Sequence, residues 1–188
     1  MAQQRKIAVL CGSLRKNSYS GMVAATLAEV APASLQLVRV EIADLPLYNE
    51  DTDTATPPAS WVRFRNEIAE ADGVIFVTPE YNRSTPACIK NAIDVGSRPY
   101  GKSVWGGKPG AVISHSMGGI AGFGANHHLR QSLVFLDVPV LQQPEAYIGN
   151  TPSLFDAQSG RMTNDDTRQF MHKIMTAYAA WVERLLGR

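Results

Sequence analysis

The run Gly73-Val74-Ile75-Phe76-Val77-Thr78 is apolar up to its final threonine and shows no alternation of polar and apolar residues. A strand with one wet face alternates; a continuous apolar run fits a strand covered on both faces. Stretches of helical spacing stand on either side of it, so the helices that cover it come from the same chain. The pattern repeats. Lys6–Cys11, Gly110–His115 and Val138–Leu141 read as strands, and Leu35–Ile42 as an alternating, β-branched one. Apolar residues at spacings of three and four mark helices over Ser20–Ala31, from a cap at Ser60 through Trp61, Phe64, Ile68 and Ala71, over Ala87–Val95 behind Pro86, and over Asn126–Phe135. The last helix, Asp165–Leu186, puts Phe170, Ile174, Tyr178, Trp181, Val182 and Leu185 on one stripe. Pro46–Pro58, Ser97–Lys108 and Leu154–Asn164 read as loops. Strands alternating with helices predict an α/β fold, a doubly wound five-stranded parallel sheet of order 2-1-3-4-5.

In such a sheet a ligand binds beyond the carboxyl ends of the strands, where the winding direction reverses between strands 1 and 3. Three unusual turns fall at strand ends. The first is Gly12-Ser13-Leu14-Arg15-Lys16-Asn17-Ser18, between a strand and a helix N-terminus. Unpartnered N–H groups and the helix dipole favour an anion there. The sequence is neither G-x-G-x-x-G nor a Walker A loop, and it suits one terminal phosphate better than a pyrophosphate. By itself it reads equally as an ordinary polar loop with a serine N-cap. The second turn, Pro79-Glu80-Tyr81-Asn82, is rigid and carries an aromatic that can flank a flat ring. The third, Ser114-His115-Ser116-Met117-Gly118-Gly119, has glycines that allow close backbone approach. Together they can grip a phosphate at one end and a planar ring at the other.

These turns, with Lys90-Asn91-Ala92-Ile93-Asp94 and His128-Leu129-Arg130-Gln131, resemble the NADPH-dependent FMN reductase family, bacterial quinone and chromate reductases above all. The resemblance runs from Lys6 to about Gly149. It implies a flavodoxin-like fold, bound FMN, and NADPH or NADH as electron donor. It also implies two-electron, ping-pong reduction of quinones, with chromate or azo compounds as further acceptors, and a homodimer or homotetramer. Residue by residue, it implies that Ser13, Arg15, Ser18, Tyr19 and Ser20 hold the FMN phosphate. The forked guanidinium of Arg15 matches an oxyanion. Pro79, Glu80, Tyr81 and Asn82 would follow the ribityl chain and ring edge, and Ser116, Met117 and Gly118 the pyrimidine end. The chemistry resides on flavin N5, so no catalytic side chain is expected. Where relatives carry Gly-Ala-Ser, this chain has Ser114-His115-Ser116, and His115 is expected to point away from the ring. No clamp for a nicotinamide 2′-phosphate is visible.

The remaining features bound the alternatives. The chain of 188 residues is long enough for one full core, and residues 1–188 read as a single domain. A net charge of +1 supplies no field for nucleic acid or an anionic membrane, and no apolar run approaches the ~20 residues of a membrane span. Met1–Lys6 lacks a signal peptide's apolar core. Cys11 and Cys88 lack metal-ligand spacing and read as two buried thiols of a cytoplasmic protein. The histidines form no metal set, and His128, Arg130 and Glu145 suit subunit contacts. The main rival is an electron-carrying flavodoxin without reductase activity, but such carriers are strongly acidic. A receiver-type signalling domain would need acids where this chain has Cys11-Gly12-Ser13 and Thr78-Pro79.

Overall fold

The computed structural model describes residues 4–187. Five parallel strands form one sheet in the order β2-β1-β3-β4-β5. They are β1 (Arg5–Cys11), β2 (Leu35–Arg39), β3 (Gly73–Thr78), β4 (Gly110–His115) and β5 (Ala146–Ile148). The helices are α1 (Tyr19–Val30), α2 (Ala59–Ala69), α3 (Ala87–Gly96), α4 (Phe123–Phe135) and α5 (Asp165–Leu186). The flavodoxin-like order is the one the alternation predicts.

Pleating divides the strand side chains between two cores. Ala8, Leu10, Val74, Phe76 and Val112 point to α2, α3 and α4, where Trp61, Phe64, Ile89 and Leu129 meet them. Ile7, Val9, Ile75, Val77, Ala111 and Ile113 point to α1 and α5, against Val23, Leu27, Ile174 and Tyr178. Every residue of β3 and β4 is buried, which is why those runs carry no alternation. Gly73 is required at the foot of β3. A Cβ there would lie 2.5 Å from the Tyr178 hydroxyl, which donates to the Pro109 carbonyl at 2.9 Å.

Several boundaries differ from expectation. The fifth strand is Ala146–Ile148, not Val138–Leu141. Pro139 has no N–H, and only Val140 bridges to β4, at Gly110. The chain then leaves the edge through Gln142-Gln143-Pro144 and rejoins it where Ala146 pairs with Ile113. Strand β2 ends at Arg39 rather than Ile42. Helix α1 begins at Tyr19, with Ser18 as its N-cap. Helix α2 begins at Ala59 behind Pro58, and Ser60 caps nothing. On α5 it is Leu186, not Leu185, that packs against the core.

The Pro46–Pro58 segment is more ordered than its composition suggests. Glu50–Thr52 forms a turn of 3₁₀ helix, the Tyr48 N–H donates to Asn91 Oδ1 at 2.8 Å, and Trp61 Nε1 donates to the Pro46 carbonyl at 3.2 Å. Arg65 donates to both oxygens of Asp53, at 2.9 and 2.8 Å, and the Asp53 side chain is only 3% exposed. The Arg65 hydrogen bonds hold the Asp53 carboxyl below its usual range. A lowered folded-state pKa stabilises fully above the unfolded value and is lost as pH falls through the folded one. Asp53→Asn should therefore cost about 1.5 kcal/mol at neutral pH, the scale of one charged hydrogen bond. The loss should shrink below pH ~4, where the unfolded carboxyl protonates. Urea melts of both proteins across pH 3–8 measure it, and an equal loss at every pH would contradict the assignment.

Candidate functional site

The register brings the three turns to one edge. Cys11 pairs with Val77 and Thr78 with Ser114, so the chain leaves β1, β3 and β4 side by side. The Gly12 N–H donates to the Val77 carbonyl at 2.8 Å and ties the first turn to β3. Only glycine fits at that point, since a Cβ would lie 2.7 Å from Ile89 Cδ1 and 2.8 Å from Pro79 Cδ. Ser18 Oγ accepts from the Gly21 N–H at 3.2 Å. Among the described residues, the N–H groups of Ser13, Leu14, Arg15, Lys16, Asn17, Tyr19 and Ser20 have no protein acceptor. Exposed groups can satisfy themselves with water, but a convergent set at a helix N-terminus is an anion cradle.

The second turn is a two-residue hairpin in which Tyr81 and Ser84 exchange backbone bonds. Asn82 and Arg83 both have positive φ, at 49° and 62°, as a type I′ turn requires. That conformation is costly for arginine. Glu80 supports it: its carboxylate accepts from Arg83 Nη1 at 3.2 Å and from the Ala125 N–H at 3.1 Å. The latter bond caps α4, whose own N-cap, Gly122, offers no side chain. In the third turn the N–H groups of Met117, Gly118 and Gly119 have no acceptor among the described residues, while the Gly118 carbonyl receives Ser116 Oγ at 2.8 Å.

Between the turns lies a cavity of about 460 Å³. Of the expected residues, Ser13, Arg15, Ser18, Tyr19, Ser20, Pro79, Glu80, Tyr81, Ser116 and Met117 line it. Asn82 does not; its positive φ turns it to a groove on the outer side, beside Ser84 and His128. Gly118 is not in the wall either, and its contribution is confined to backbone. The Ser20 hydroxyl is fully buried and lies 2.8 Å from His115 Nε2, so what it leaves for a ligand is its N–H. A wall that sequence spacing does not disclose is formed by Thr151, Pro152, Phe155, Asp156 and Ala157. Thr151 holds it in place, with N and Oγ1 each 3.2 Å from the Ser116 carbonyl. Phe155 lies against Tyr19, with ring centroids 6.1 Å apart.

His115 is among the residues that line this cavity, with only 4% of its surface exposed. Its Nδ1 is buried and has no partner among the described residues. Burial pushes its pKa down to about 4 from an ordinary 6.5. The ring is thus neutral at physiological pH. Its imidazole ¹H resonances should stay flat from pH 8 to 5; an inflection near 6.5 would contradict the burial.

Cys11 is buried, and desolvation raises its pKa to about 11. Cys88 is only half-buried rather than fully so, and burial also raises its thiol. Neither is a ready thiolate. Arg130 donates to Asn126 Oδ1 at 2.8 Å and to the Leu141 carbonyl at 3.1 Å. Among the described residues, no three His, Cys, Asp or Glu side chains are grouped to hold a metal ion, and no helix is long and apolar enough to cross a membrane.

The site fits a flavin mononucleotide on its own geometry. Its size lies in the range of small-ligand pockets, ~300–1,000 Å³. Free amides and Arg15 stand at one end for a phosphate. Tyr81 and Met117, 58% and 67% exposed, stand at the other for a flat ring.

Residues 5–153 match the family model described as NADPH-dependent FMN reductase. A quinone reductase of Pseudomonas putida is 60% identical over 97% of this chain and 97% of its own length. A 2-hydroxy-1,4-benzoquinone reductase of a Burkholderia species is 47% identical over 94% of this chain and 96% of its own. Among solved structures, the flavoenzyme FerB of Paracoccus denitrificans, an NAD(P)H:(acceptor) oxidoreductase, superposes with a TM-score of 0.90 at 38% identity. It covers 96% of this chain and 98% of its own.

Proposed function

The chain belongs to the NADPH-dependent FMN reductase family, and from that premise we propose that it oxidises NADPH or NADH and reduces quinones by two electrons. The observation that carries this reading is the run of free amides around Arg15, in one cavity with Tyr81 and Met117. When bound, FMN supplies the redox chemistry, taking up a hydride equivalent and passing two electrons to an acceptor. The protein's part is binding and orientation. Arg15 and the amides of Ser13, Arg15, Asn17, Tyr19 and Ser20 would hold the phosphate. Pro79 and the backbone of Glu80 would flank the ribityl chain, while the Glu80 carboxylate fixes the turn through Ala125. Tyr81 and Met117 would border the ring and keep water from its edge. The Met117, Gly118 and Gly119 amides are donors for negative charge that develops at the pyrimidine end.

The quinone names of the relatives at 60% and 47% identity support that acceptor class. Chromate and azo compounds follow from the family alone. A cytoplasmic setting keeps thiols reduced, which fits two free cysteines. Association of copies into a homodimer or homotetramer is supported by Val134 and Phe135, 77% and 81% exposed at the end of α4. Initial rates with NADPH and p-benzoquinone, both varied on FMN-loaded protein, test the reading. Parallel double-reciprocal lines are expected. NADPH consumption that ignores quinone would contradict it.

A further inference from the structure

A second cavity, about 510 Å³, lies on the other side of the Arg15 turn. Its walls are that turn, the start of α1 at Gly21, Met22 and Ala25, Arg39 at the end of β2, and the 157–160 loop. The two cavities adjoin, since Arg15, Asn17, Ser18, Met22 and Ala157 line both. The flavin reading leaves this groove unused.

Its charge is one-sided. Arg15, Lys16 and Arg39 line it, and no Asp or Glu does. All three are exposed, and among the described residues none forms an ion pair. Among the described residues, Arg5, Arg63, Arg65, Arg83 and Arg168 have carboxylate partners, while Arg98, Arg130, Arg161 and Arg184, like the groove's cations, have none. Parallel pairing of β1 with β2 sets Arg39 opposite Val9, close to the strand tip. Its guanidinium leans over the first turn of α1, with Nη1 3.7 Å from where a Cβ on Gly21 would stand. Gln158 adds a neutral donor on the facing wall, while Ser159 donates its N–H and hydroxyl to Asp156 Oδ1, each at 2.7 Å. Unpaired cations converging on a concave site, in a chain of net charge +1, mark a place for a localised anion.

We infer that this groove takes the 2′-phosphoadenosine arm of NADPH, with Arg39 and Lys16 as the residues that distinguish NADPH from NADH. The inference rests on the adjoining cavity being the flavin site. A donor whose nicotinamide lies at the Tyr81 and Met117 end needs a path for its second nucleotide. The groove supplies one that shares a wall with the flavin cavity. Arg39 offers a planar fork that suits a phosphate monoester, and Lys16 a point charge. The hydroxyl that NADH carries instead brings no charge to either.

The test is calorimetric titration of FMN-loaded protein with 2′,5′-ADP and with 5′-AMP, for wild type, Arg39→Gln and Lys16→Ala. Wild type should prefer 2′,5′-ADP by roughly tenfold or more, the size of a charged contact. Arg39→Gln should erase most of that preference and Lys16→Ala part of it. The NADPH-to-NADH ratio of kcat/KM should fall by the same factors. No preference in wild type, or an undiminished one in both variants, would overturn the inference. So would inorganic phosphate that binds as tightly as 2′,5′-ADP, since the adenosine would then contribute nothing. Flavin absorbance on the same samples separates the two readings. A colourless protein counts against the flavin site, and a coloured one without the preference counts against the groove alone.

Discussion

Trp105→Ala should destabilise the protein by roughly 3–5 kcal/mol, the usual loss when a buried indole is deleted from a packed core. Trp105 is fully buried, and its ring lies 6.0 Å from Phe64 and 5.8 Å from Phe76. Its Nε1 donates to the Ile93 carbonyl at 3.1 Å. It fits because Gly96 has no side chain: a Cβ there would stand 2.6 Å from the indole nitrogen. The ring therefore clamps the C-terminus of α3 to β3, whose other end carries the Pro79–Tyr81 turn. At about 2–4 °C per kcal/mol for a chain this size, the midpoint should fall by roughly 10 °C. Trp105→Phe should lose less, because it keeps most of the volume, and the Ile93 carbonyl, though it loses the indole donor, still accepts from the Ser97 N–H at 3.0 Å. Thermal melts followed by circular dichroism measure both. An alanine variant within 2 °C of wild type, on the same ~2–4 °C scale, would show that the site collapses around the deletion.

Arg15→Ala should weaken FMN binding by about 1.5–3 kcal/mol, or roughly 10- to 150-fold in Kd. Arg15 lies on both the flavin cavity and the basic groove, in a turn whose amides are free. With FMN bound it would be the turn's one fork for the phosphate; Lys16 lines only the neighbouring groove. The loss should be confined to flavin that carries a phosphate. Riboflavin, which lacks it, should bind wild type and variant alike. Fluorescence titration with both ligands makes the comparison. Equal FMN affinity in the two proteins would contradict the phosphate assignment, and an equal loss for riboflavin would point to a collapsed turn.

What could be read from the residues follows from their surroundings. Gly73–Thr78 and Gly110–His115 were legible because burial on both faces forces an unbroken apolar run. The three turns were legible because strand and helix patterns bracket them. The true β5 was not, since Ala146–Ile148 is only three residues and follows a proline-broken stretch that looks more like a strand than it is. Trp105 is not legible inside Ser97–Lys108, because a loop has no period to tell its burial from the exposure of nearby Tyr100. The wall at Thr151–Ala157 is short and without a period, and contacts with Ser116 and Tyr19, remote in the chain, bring it to the cavity. Ser20 and His115 are far apart in the chain, and nothing in either neighbourhood announces that they meet. The same holds for Arg39, which strand pairing carries to the mouth of the Arg15 turn.

The most direct measurement is the visible absorbance spectrum of the purified protein mixed with FMN, passed through a desalting column, and then treated anaerobically with NADPH. The account predicts that oxidised flavin bands co-elute with the protein at one per chain and bleach on addition of NADPH. Protein that emerges colourless would contradict the cavity's assignment, and bound flavin that NADPH leaves unbleached would return the chain to the role of an electron carrier.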